Sequence, residues 1–143
     1  MHGLHLSADM RGCNAGRAVM TDPMALREVC LGAVAAAGLS AVAELFHRFV
    51  PAPQHAGLPG GITGVVLLAE SHLAVHTWPE LEAATLDVYV CNLGSDNSAR
   101  ADTLLALLLA AFAPASFERH ALQRGSAPMQ STLHEPPATA TLP

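Results

Sequence analysis

The chain has 143 residues, of which 51% are hydrophobic and 13% are charged, and its formal net charge is -5. A chain of this length and composition can bury a core as one domain, which excludes a wholly disordered protein. It contains only seven scattered Lys and Arg residues, which argues against a nucleic-acid surface, and a small cationic ligand suits the negative charge better.

The first half of the chain predicts a strand, a helix, a second strand and a loop. Residues 3–10 alternate between apolar and polar side chains, as in a short half-buried strand. Asp22, followed by a proline, is typical of a helix N-cap, and apolar residues then recur at helical spacing until Gly38. Residues 39–49 predict the second strand, and the prolines and glycines of residues 50–61 predict a surface loop.

The second half of the chain predicts three strands, a helix and a final strand. These five elements are expected at residues 62–69, 72–77, 85–91, 98–112 and 116–123, in that order. The first two are so close that only a tight hairpin can join them, with Glu70 and Ser71 in its turn. Residues 126–143 contain four prolines and predict a disordered tail after a single domain formed by residues 1–125.

This order of elements predicts an α+β fold. A sheet with one apolar face must cover that face, and helices that are apolar along one side can cover it. We therefore expect a two-layer sandwich in which a mainly antiparallel sheet carries two helices on one face.

The cysteines and the chain start indicate a cellular compartment. Cys13, Cys30 and Cys91 cannot all pair within one chain, and no two of them have the C-x-x-C spacing. We interpret them as free thiols in a reducing compartment. No secretory signal is visible, and the longest apolar stretches are shorter than the roughly 18 residues that a membrane span requires. The sequence predicts a cytoplasmic protein with no membrane partner.

Polar side chains are concentrated where the third predicted strand ends. Glu70, Ser71 and His72 follow the apolar run of residues 65–68 after a single alanine, and His76 follows Ser71 by five residues. On spacing alone, a serine in a tight turn is most often just a turn residue. The segment also lacks the G-x-S-x-G pattern of a serine hydrolase nucleophile.

This region could also hold a metal ion or could serve only to build the core. His72 and His76 have the H-x-x-x-H spacing of helical metal ligands, with Cys91 as a possible third ligand. The residues around them favour a strand, however, and no glutamate follows His72, so we predict no metal. Without other information Cys91 is a buried inert residue, and Phe49 and Trp78 are core residues.

A longer pattern links these residues to a known family. Residues 64–80 read G-V-V-L-L-A-E-S-H-L-A-V-H-T-W-P-E and residues 87–91 read D-V-Y-V-C. Together they closely resemble the signature of the short bacterial and archaeal S-adenosylmethionine decarboxylases. The resemblance includes the His-Leu pair at residues 5–6 and Phe-His-Arg-Phe at residues 46–49, and it covers roughly residues 3–124.

The resemblance implies an enzyme that makes its own pyruvoyl cofactor by cutting its backbone. The Ser71 hydroxyl would attack the carbonyl of Glu70, and the chain would split into a β chain of residues 1–70 and an α chain that starts at position 71. The new amino end becomes a pyruvoyl group. Its carbonyl forms a Schiff base with the substrate amine and accepts electrons as carbon dioxide leaves. The product supplies the aminopropyl donor for spermidine biosynthesis.

The resemblance also implies roles for individual residues at the reaction centre. His76 matches the histidine that assists self-cleavage, and Thr63 stands where the family has a serine that helps this processing. Cys91 matches the thiol that protonates the substrate α-carbon after decarboxylation.

Three other residues match positions that bind the substrate, S-adenosylmethionine. Phe49 resembles the aromatic residue that stacks on adenine, and Glu80 matches the carboxylate that holds the ribose. Asp9 stands where the family often has a glutamate. The resemblance further implies a homodimer of processed protomers, with the active sites near the subunit interface.

Departures from the family pattern keep other functions open. The loop at residues 51–61 is longer than the family's usual link, Val90 and Asn92 flank Cys91 in place of threonine and glycine, and Asp9 is shorter than the family's glutamate. A pyruvoyl enzyme that acts on ornithine or arginine is therefore the second hypothesis. A non-catalytic binding homologue is the third, and it is disfavoured because the serine, histidine and cysteine are all present.

Overall fold

The computed structural model describes residues 2–125, and these form one six-stranded antiparallel sheet and three α-helices. The strands are β1 (Gly3–Arg11), β2 (Ala41–Arg48), β3 (Ile62–Leu68), β4 (Ser71–Trp78), β5 (Ala83–Cys91) and β6 (Ser116–Arg124), and the helices are α1 (Ala18–Thr21), α2 (Pro23–Ala36) and α3 (Ser98–Phe112). The strand order across the sheet is β2-β3-β4-β5-β1-β6. The α+β prediction is confirmed, and the predicted tail lies outside the described residues. No helix within residues 2–125 is both long enough and apolar enough to cross a membrane.

Two details differ from the sequence prediction. Helix α1 was not predicted, because four residues are too few to show a helical period. The hairpin between β3 and β4 is present, but its turn consists of Ala69 and Glu70, and Ser71 is the first residue of β4. Ser71 pairs with Leu68 across the hairpin, which leaves a two-residue loop, the shortest common connection between antiparallel strands.

The hydrophobic core lies between the helices and one face of the sheet. Along β4, Leu73, Val75 and Thr77 are buried, whereas His76 is partly buried and Trp78 is exposed. A similar alternation runs along β1, β3 and β5. Each fully buried large apolar side chain contributes about 1.5–3 kcal/mol of transfer free energy, so this face provides most of the stability. The largest fully buried side chains come from both layers and include Leu6, Met10, Ile62, Leu73, Leu86, Met20, Leu26, Leu104, Leu108 and Phe112.

Thr77 is a polar residue within this core, with only 3% of its surface exposed. Its hydroxyl accepts a hydrogen bond from the Ile62 N–H at 2.8 Å and donates one to the Met20 carbonyl at 2.9 Å. Its burial therefore leaves no unpaired polar group, which would be costly. The two bonds join β4 to β3 and to α1.

The predicted start and end of α2 are confirmed. The Asp22 carboxylate accepts a hydrogen bond from the Met24 N–H at 2.9 Å, which satisfies a backbone donor that the helix itself cannot pair. After the helix, Gly38 has a φ of 75°, in the left-handed region that glycine adopts without steric cost. The Leu39 N–H then returns to the Val34 carbonyl at 3.0 Å.

Gly64 lies on the buried face of β3, where a side chain has no room. A Cβ atom at this position overlaps the ring of Phe46 on β2 and lies 2.9 Å from Cγ1 of Val75 on β4. We expect Gly64→Ala to lower the free energy of unfolding by about 1–3 kcal/mol, the usual cost of overpacking a core. Urea denaturation followed by circular dichroism measures this change.

Gly32→Ala is the matched control for this substitution. Gly32 lies inside α2, and nothing lies within 4 Å of the Cβ that the substitution adds. It should raise the free energy of unfolding by about 0.5–1 kcal/mol, because alanine loses less backbone freedom than glycine in a helix. Equal stability of Gly64→Ala and wild type would contradict the close packing at β3.

Candidate active site

The turn between β3 and β4 holds Glu70 in an unusual backbone conformation. Its φ is 56°, in the left-handed region that residues with a side chain rarely adopt. Keeping a non-glycine residue there costs on the order of 1–3 kcal/mol, which the surrounding structure must supply. Strain is therefore held directly before the peptide bond that joins Glu70 to Ser71.

The side chain of Ser71 is held against the end of β5. Its Oγ accepts a hydrogen bond from the Cys91 N–H at 3.1 Å, across 20 residues of sequence. Cys91 is itself fixed, because its carbonyl accepts a hydrogen bond from Asn97 Nδ2 at 2.8 Å. Glu70, Ser71 and Cys91 thus lie together at one end of the sheet, and we call them the turn cluster.

Cys13 and Cys30 differ from Cys91 in their surroundings. All three cysteines are free, and Cys13 and Cys30 are enclosed in the core between sheet and helices. Burial raises the pKa of the Cys30 thiol to about 12. Burial, together with the charge of Glu82, also raises the pKa of the Cys13 thiol. Both thiols remain protonated at neutral pH, so neither is prepared to react.

A second group of predicted site residues lies at the opposite end of β4. Thr63 on β3 and His76 on β4 are paired in register, and Thr63 Oγ1 lies 2.9 Å from His76 Nδ1. A hydroxyl can donate or accept, so this hydrogen bond orients the imidazole in either tautomer. Phe49 and Glu80 line the same cavity as this pair. We call Thr63, His76, Phe49 and Glu80 the cavity cluster.

The cavity has a volume of about 350 Å³ and lies between the loop after β2 and the ends of β3 and β4. This volume is within the range of small-ligand sites in proteins. Phe49 is 51% exposed and Trp78 is 37% exposed, and both line the cavity. Their assignment to the core was therefore wrong. Aromatic rings next to the Glu80 carboxylate suit a flat ligand that carries a positive charge.

The turn cluster and the cavity cluster do not meet within one chain. Ser71 and His76 are both on β4, five residues apart. A strand rises about 3.3 Å per residue, so their Cα atoms are about 16 Å apart. The structure brings Ser71 to Cys91 and His76 to Thr63, but it does not bring Ser71 to His76.

Asp9 lies near the cavity cluster but outside the cavity. It pairs with Thr85 on β5, and Thr85 pairs with His76 on β4. Two strand spacings therefore separate Asp9 from His76, which is about 10 Å. The Asp9 carboxylate is 4.0 Å from His120 Nε2, and 57% of its side chain is exposed.

The geometry of β4 does not favour the metal interpretation of the two histidines. His72 and His76 are four residues apart on a strand, which separates their Cα atoms by about 13 Å. Cys91 pairs with Gly3 at the end of β5, away from His76. No group of three or more His, Cys, Asp or Glu side chains that could hold a metal ion occurs between residues 2 and 125.

His55 is a cavity residue that the sequence did not indicate. It lies in the loop after β2, at the end of a short 3-10 helix, and lines the cavity with Phe49 and Glu80. A loop has no period from which the direction of a side chain can be predicted. Trp78 did carry a signal, because it is two residues after His76 on the same strand and therefore shares its face.

Comparisons with known proteins identify relatives over nearly the whole described region. The family described as S-adenosylmethionine decarboxylase matches residues 4–125. An S-adenosylmethionine decarboxylase proenzyme from Persephonella marina is 35% identical over 127 residues, which covers 89% of this chain and 85% of that protein. A proenzyme of the same name from Pyrococcus furiosus is 35% identical over 131 residues, covering 92% and 84%. The crystal structure of the adenosylmethionine decarboxylase from Aquifex aeolicus matches with a TM-score of 0.74 and 32% identity, covering 90% of this chain and 95% of that one.

Proposed function

The chain belongs to the S-adenosylmethionine decarboxylase family, and on this basis we propose how its own residues process the chain and bind and decarboxylate the substrate. The enzyme is an S-adenosylmethionine decarboxylase that is made as a proenzyme. The observation that supports the roles proposed for individual residues is the turn cluster, in which a strained residue precedes a serine held beside a cysteine.

Ser71 is the nucleophile of self-cleavage. Its Oγ attacks the carbonyl carbon of Glu70, the amide C–N bond breaks, and an ester forms in its place. Elimination then breaks the Cβ–Oγ bond of residue 71 and releases Glu70 as a free carboxylate. Hydrolysis of the new end releases ammonia and leaves a pyruvoyl group. The left-handed φ of Glu70 supports this step. Glu70 directly precedes the bond that breaks, so cleavage relieves the strain in its backbone.

The surroundings of Ser71 fit a pyruvoyl group made from it. The group supplies a carbonyl that condenses with the substrate amine and accepts the electrons left by carbon dioxide. The Cys91 N–H, which donates to Ser71 Oγ at 3.1 Å, is available to hold an oxygen at this position. The Cys91 thiol belongs to the same turn cluster and delivers a proton to the substrate α-carbon. Cys13 and Cys30 are in the core and cannot take this role.

The cavity binds the adenosyl portion of the substrate. Phe49 presents a half-exposed ring on which adenine stacks, and the Glu80 carboxylate accepts hydrogen bonds from the ribose hydroxyls. Asp9, exposed on the same side of the sheet, adds negative charge near the cavity, which favours the sulfonium cation. Thr63 and His76 line the cavity as a hydrogen-bonded pair. They assist the self-cleavage between Glu70 and Ser71.

The active enzyme is a homodimer, because one chain alone does not contain a complete site. About 16 Å separates Ser71 from His76 along β4, far beyond hydrogen-bonding reach. Two sheets that pack face to face about a twofold axis at right angles to β4 place the turn cluster of one chain over the cavity cluster of the other. The sheet face opposite the helices carries Leu45, Leu67 and Leu122, each about half exposed or more, which supports its burial in a dimer.

The extent of the catalytic domain and its compartment follow from similar arguments. Residues 1–125 form the decarboxylase domain, since the family match ends at residue 125, next to the end of β6. The enzyme works in a reducing compartment, the cytoplasm, because its three cysteines are free thiols.

Self-cleavage predicts a specific mass pattern. Purified wild-type protein should give two fragments that meet between Glu70 and Ser71, with the downstream fragment lacking a free amino end. Ser71→Ala should stay as one uncut chain, because it has no hydroxyl to attack the carbonyl. Ser40→Ala, a serine outside the helices and strands, is the control and should be cut like wild type. Intact-mass spectrometry measures all three, and active wild type that is uncut would refute this mechanism.

The shared site predicts complementation between two inactive variants. Ser71→Ala and His76→Ala should each remain uncut alone. When the two are co-expressed, a mixed dimer contains one site with both side chains intact, and about half of the His76→Ala chains should be cut if pairing is random. Mass spectrometry distinguishes the two chains, and all fragments should come from the His76→Ala chain. Cleavage of His76→Ala alone, or none in the mixture, would contradict a site built from two chains.

The substrate is tested by direct comparison. Processed enzyme should release carbon dioxide from S-adenosylmethionine at least 100-fold faster than from ornithine or arginine. With the smaller amines, the groups of the site that bind the adenosyl portion stay unpaired, which lowers the rate by roughly this order. Cys91→Ala should be cut normally but turn over poorly. Faster release from ornithine or arginine would favour the second hypothesis, which rests on the longer loop and on the residues that flank Cys91. No release from any of the three would favour a non-catalytic binding protein.

A further inference from the structure

The loop between β2 and β3 is fastened at its base. The Phe49 N–H donates to the Gly61 carbonyl at 2.9 Å, which closes the loop where it leaves the sheet. Gly60 lies so close to the Phe49 carbonyl, and Gly61 to the Thr77 carbonyl, that a Cβ on either would overlap it. Only glycine permits this approach. The loop therefore leaves and rejoins the sheet at fixed positions.

Inside the loop, the backbone also fixes His55. The His55 N–H donates to the Ala52 carbonyl at 2.7 Å, and the His55 carbonyl accepts from the Leu58 N–H at 2.8 Å. Prolines at positions 51, 53 and 59 further restrict the backbone of the loop. A loop that is closed at its base, hydrogen-bonded at its tip and rich in proline is preorganised. The preorganised backbone of the loop thus determines the position of His55 on the cavity wall.

Three polar side chains of the cavity already have partners. Thr63 and His76 hydrogen-bond to each other, and the Thr77 hydroxyl is used by the backbone of Ile62 and Met20. Within residues 2–125, no side-chain hydrogen bond engages His55 or Glu80, and both line the cavity. The imidazole and the carboxylate are therefore available to a ligand there.

We propose that His55 is a specificity-determining residue that hydrogen-bonds to the adenosyl portion of the substrate in this cavity. The inference rests on the proposed function and deepens it. An imidazole offers a donor and an acceptor at its two ring nitrogens, which matches the alternating donors and acceptors of a purine edge and of ribose hydroxyls. Ornithine and arginine have neither a purine edge nor ribose hydroxyls, and their side chains carry donors only, so they can pair with just one of the two ring nitrogens. The loop that extends this chain beyond the usual link thereby selects a nucleoside-bearing substrate.

The test uses processed full-length enzyme and three variants. His55→Ala removes the hydrogen bond, His55→Gln keeps a donor and an acceptor, and Gln54→Ala changes an exposed residue of the same short helix that does not line the cavity. For each we would measure kcat and KM with S-adenosylmethionine. Calorimetric binding of methylthioadenosine, which has the adenosyl portion but lacks the α-amino and carboxyl groups of the substrate, gives an independent affinity. Thermal unfolding and self-cleavage report whether the fold is intact.

We expect His55→Ala to raise both KM and the dissociation constant of methylthioadenosine about threefold to tenfold, the usual effect of one hydrogen bond, with kcat changed less than about twofold. His55→Gln should recover most of this loss, and Gln54→Ala should match wild type. An equal loss in His55→Ala and His55→Gln would assign the effect to packing and overturn the proposal.

The outcomes also separate this proposal from the function on which it rests. Wild type that decarboxylates S-adenosylmethionine, with His55→Ala unchanged in KM and in methylthioadenosine affinity, would overturn the role of His55 alone. A fall in kcat without any change in these two constants would overturn it as well. Wild type that neither turns over S-adenosylmethionine nor binds methylthioadenosine would overturn both.

Discussion

Backbone pairing between β3, β4 and β5 determines where Thr63, Ser71, His76 and Cys91 lie. The register places Thr63 opposite His76 and Leu68 opposite Ser71, and β5 ends with Cys91 beside the Ser71 hydroxyl. In a strand, a shift of one residue would turn each of these side chains to the other face. The register is secured by the buried face of the sheet, where Leu73 and Val75 pack against the helices. Packing on the buried face therefore fixes the positions of the candidate site residues on these strands.

Stability and function are divided between parts of the molecule. The face that meets the helices is apolar, and its one buried polar side chain, Thr77, is fully hydrogen-bonded. In the two-residue turn, Glu70 has a left-handed backbone at the start of the bond proposed to break, a conformation that Glu82 and Ala113 also adopt elsewhere in residues 2–125. A stable sheet on both sides of the turn can hold such a conformation, whereas an isolated hairpin is only marginally stable. The turn thus depends on the core to keep its conformation.

The division of the site between the two ends of β4 has consequences for assembly. A strand cannot bend to bring together residues five positions apart, so residues matched to one reaction occupy two separate places in the chain. In the dimer proposed above, a second copy in the opposite orientation would bring them together. The loop after β2 forms one wall of the cavity. In this dimer, each chain would therefore provide the substrate pocket for its partner's turn cluster. Catalysis in this arrangement depends on the dimer as well as on the fold.

Much of this protein could be inferred from its sequence alone. Alternating apolar residues, the Asp22 cap and Gly38 marked the strands and the first long helix, because these signals act over a few neighbouring residues. The motif from residue 64 to residue 91 marked the serine, histidine and cysteine. The resemblance placed Phe49 against the substrate, and Trp78 shares a strand face with His76, but only the tertiary structure showed that both rings line one cavity and that His55 joins them. Those outcomes depend on how a loop without periodicity packs against the ends of distant strands, and local sequence does not encode such long-range contacts.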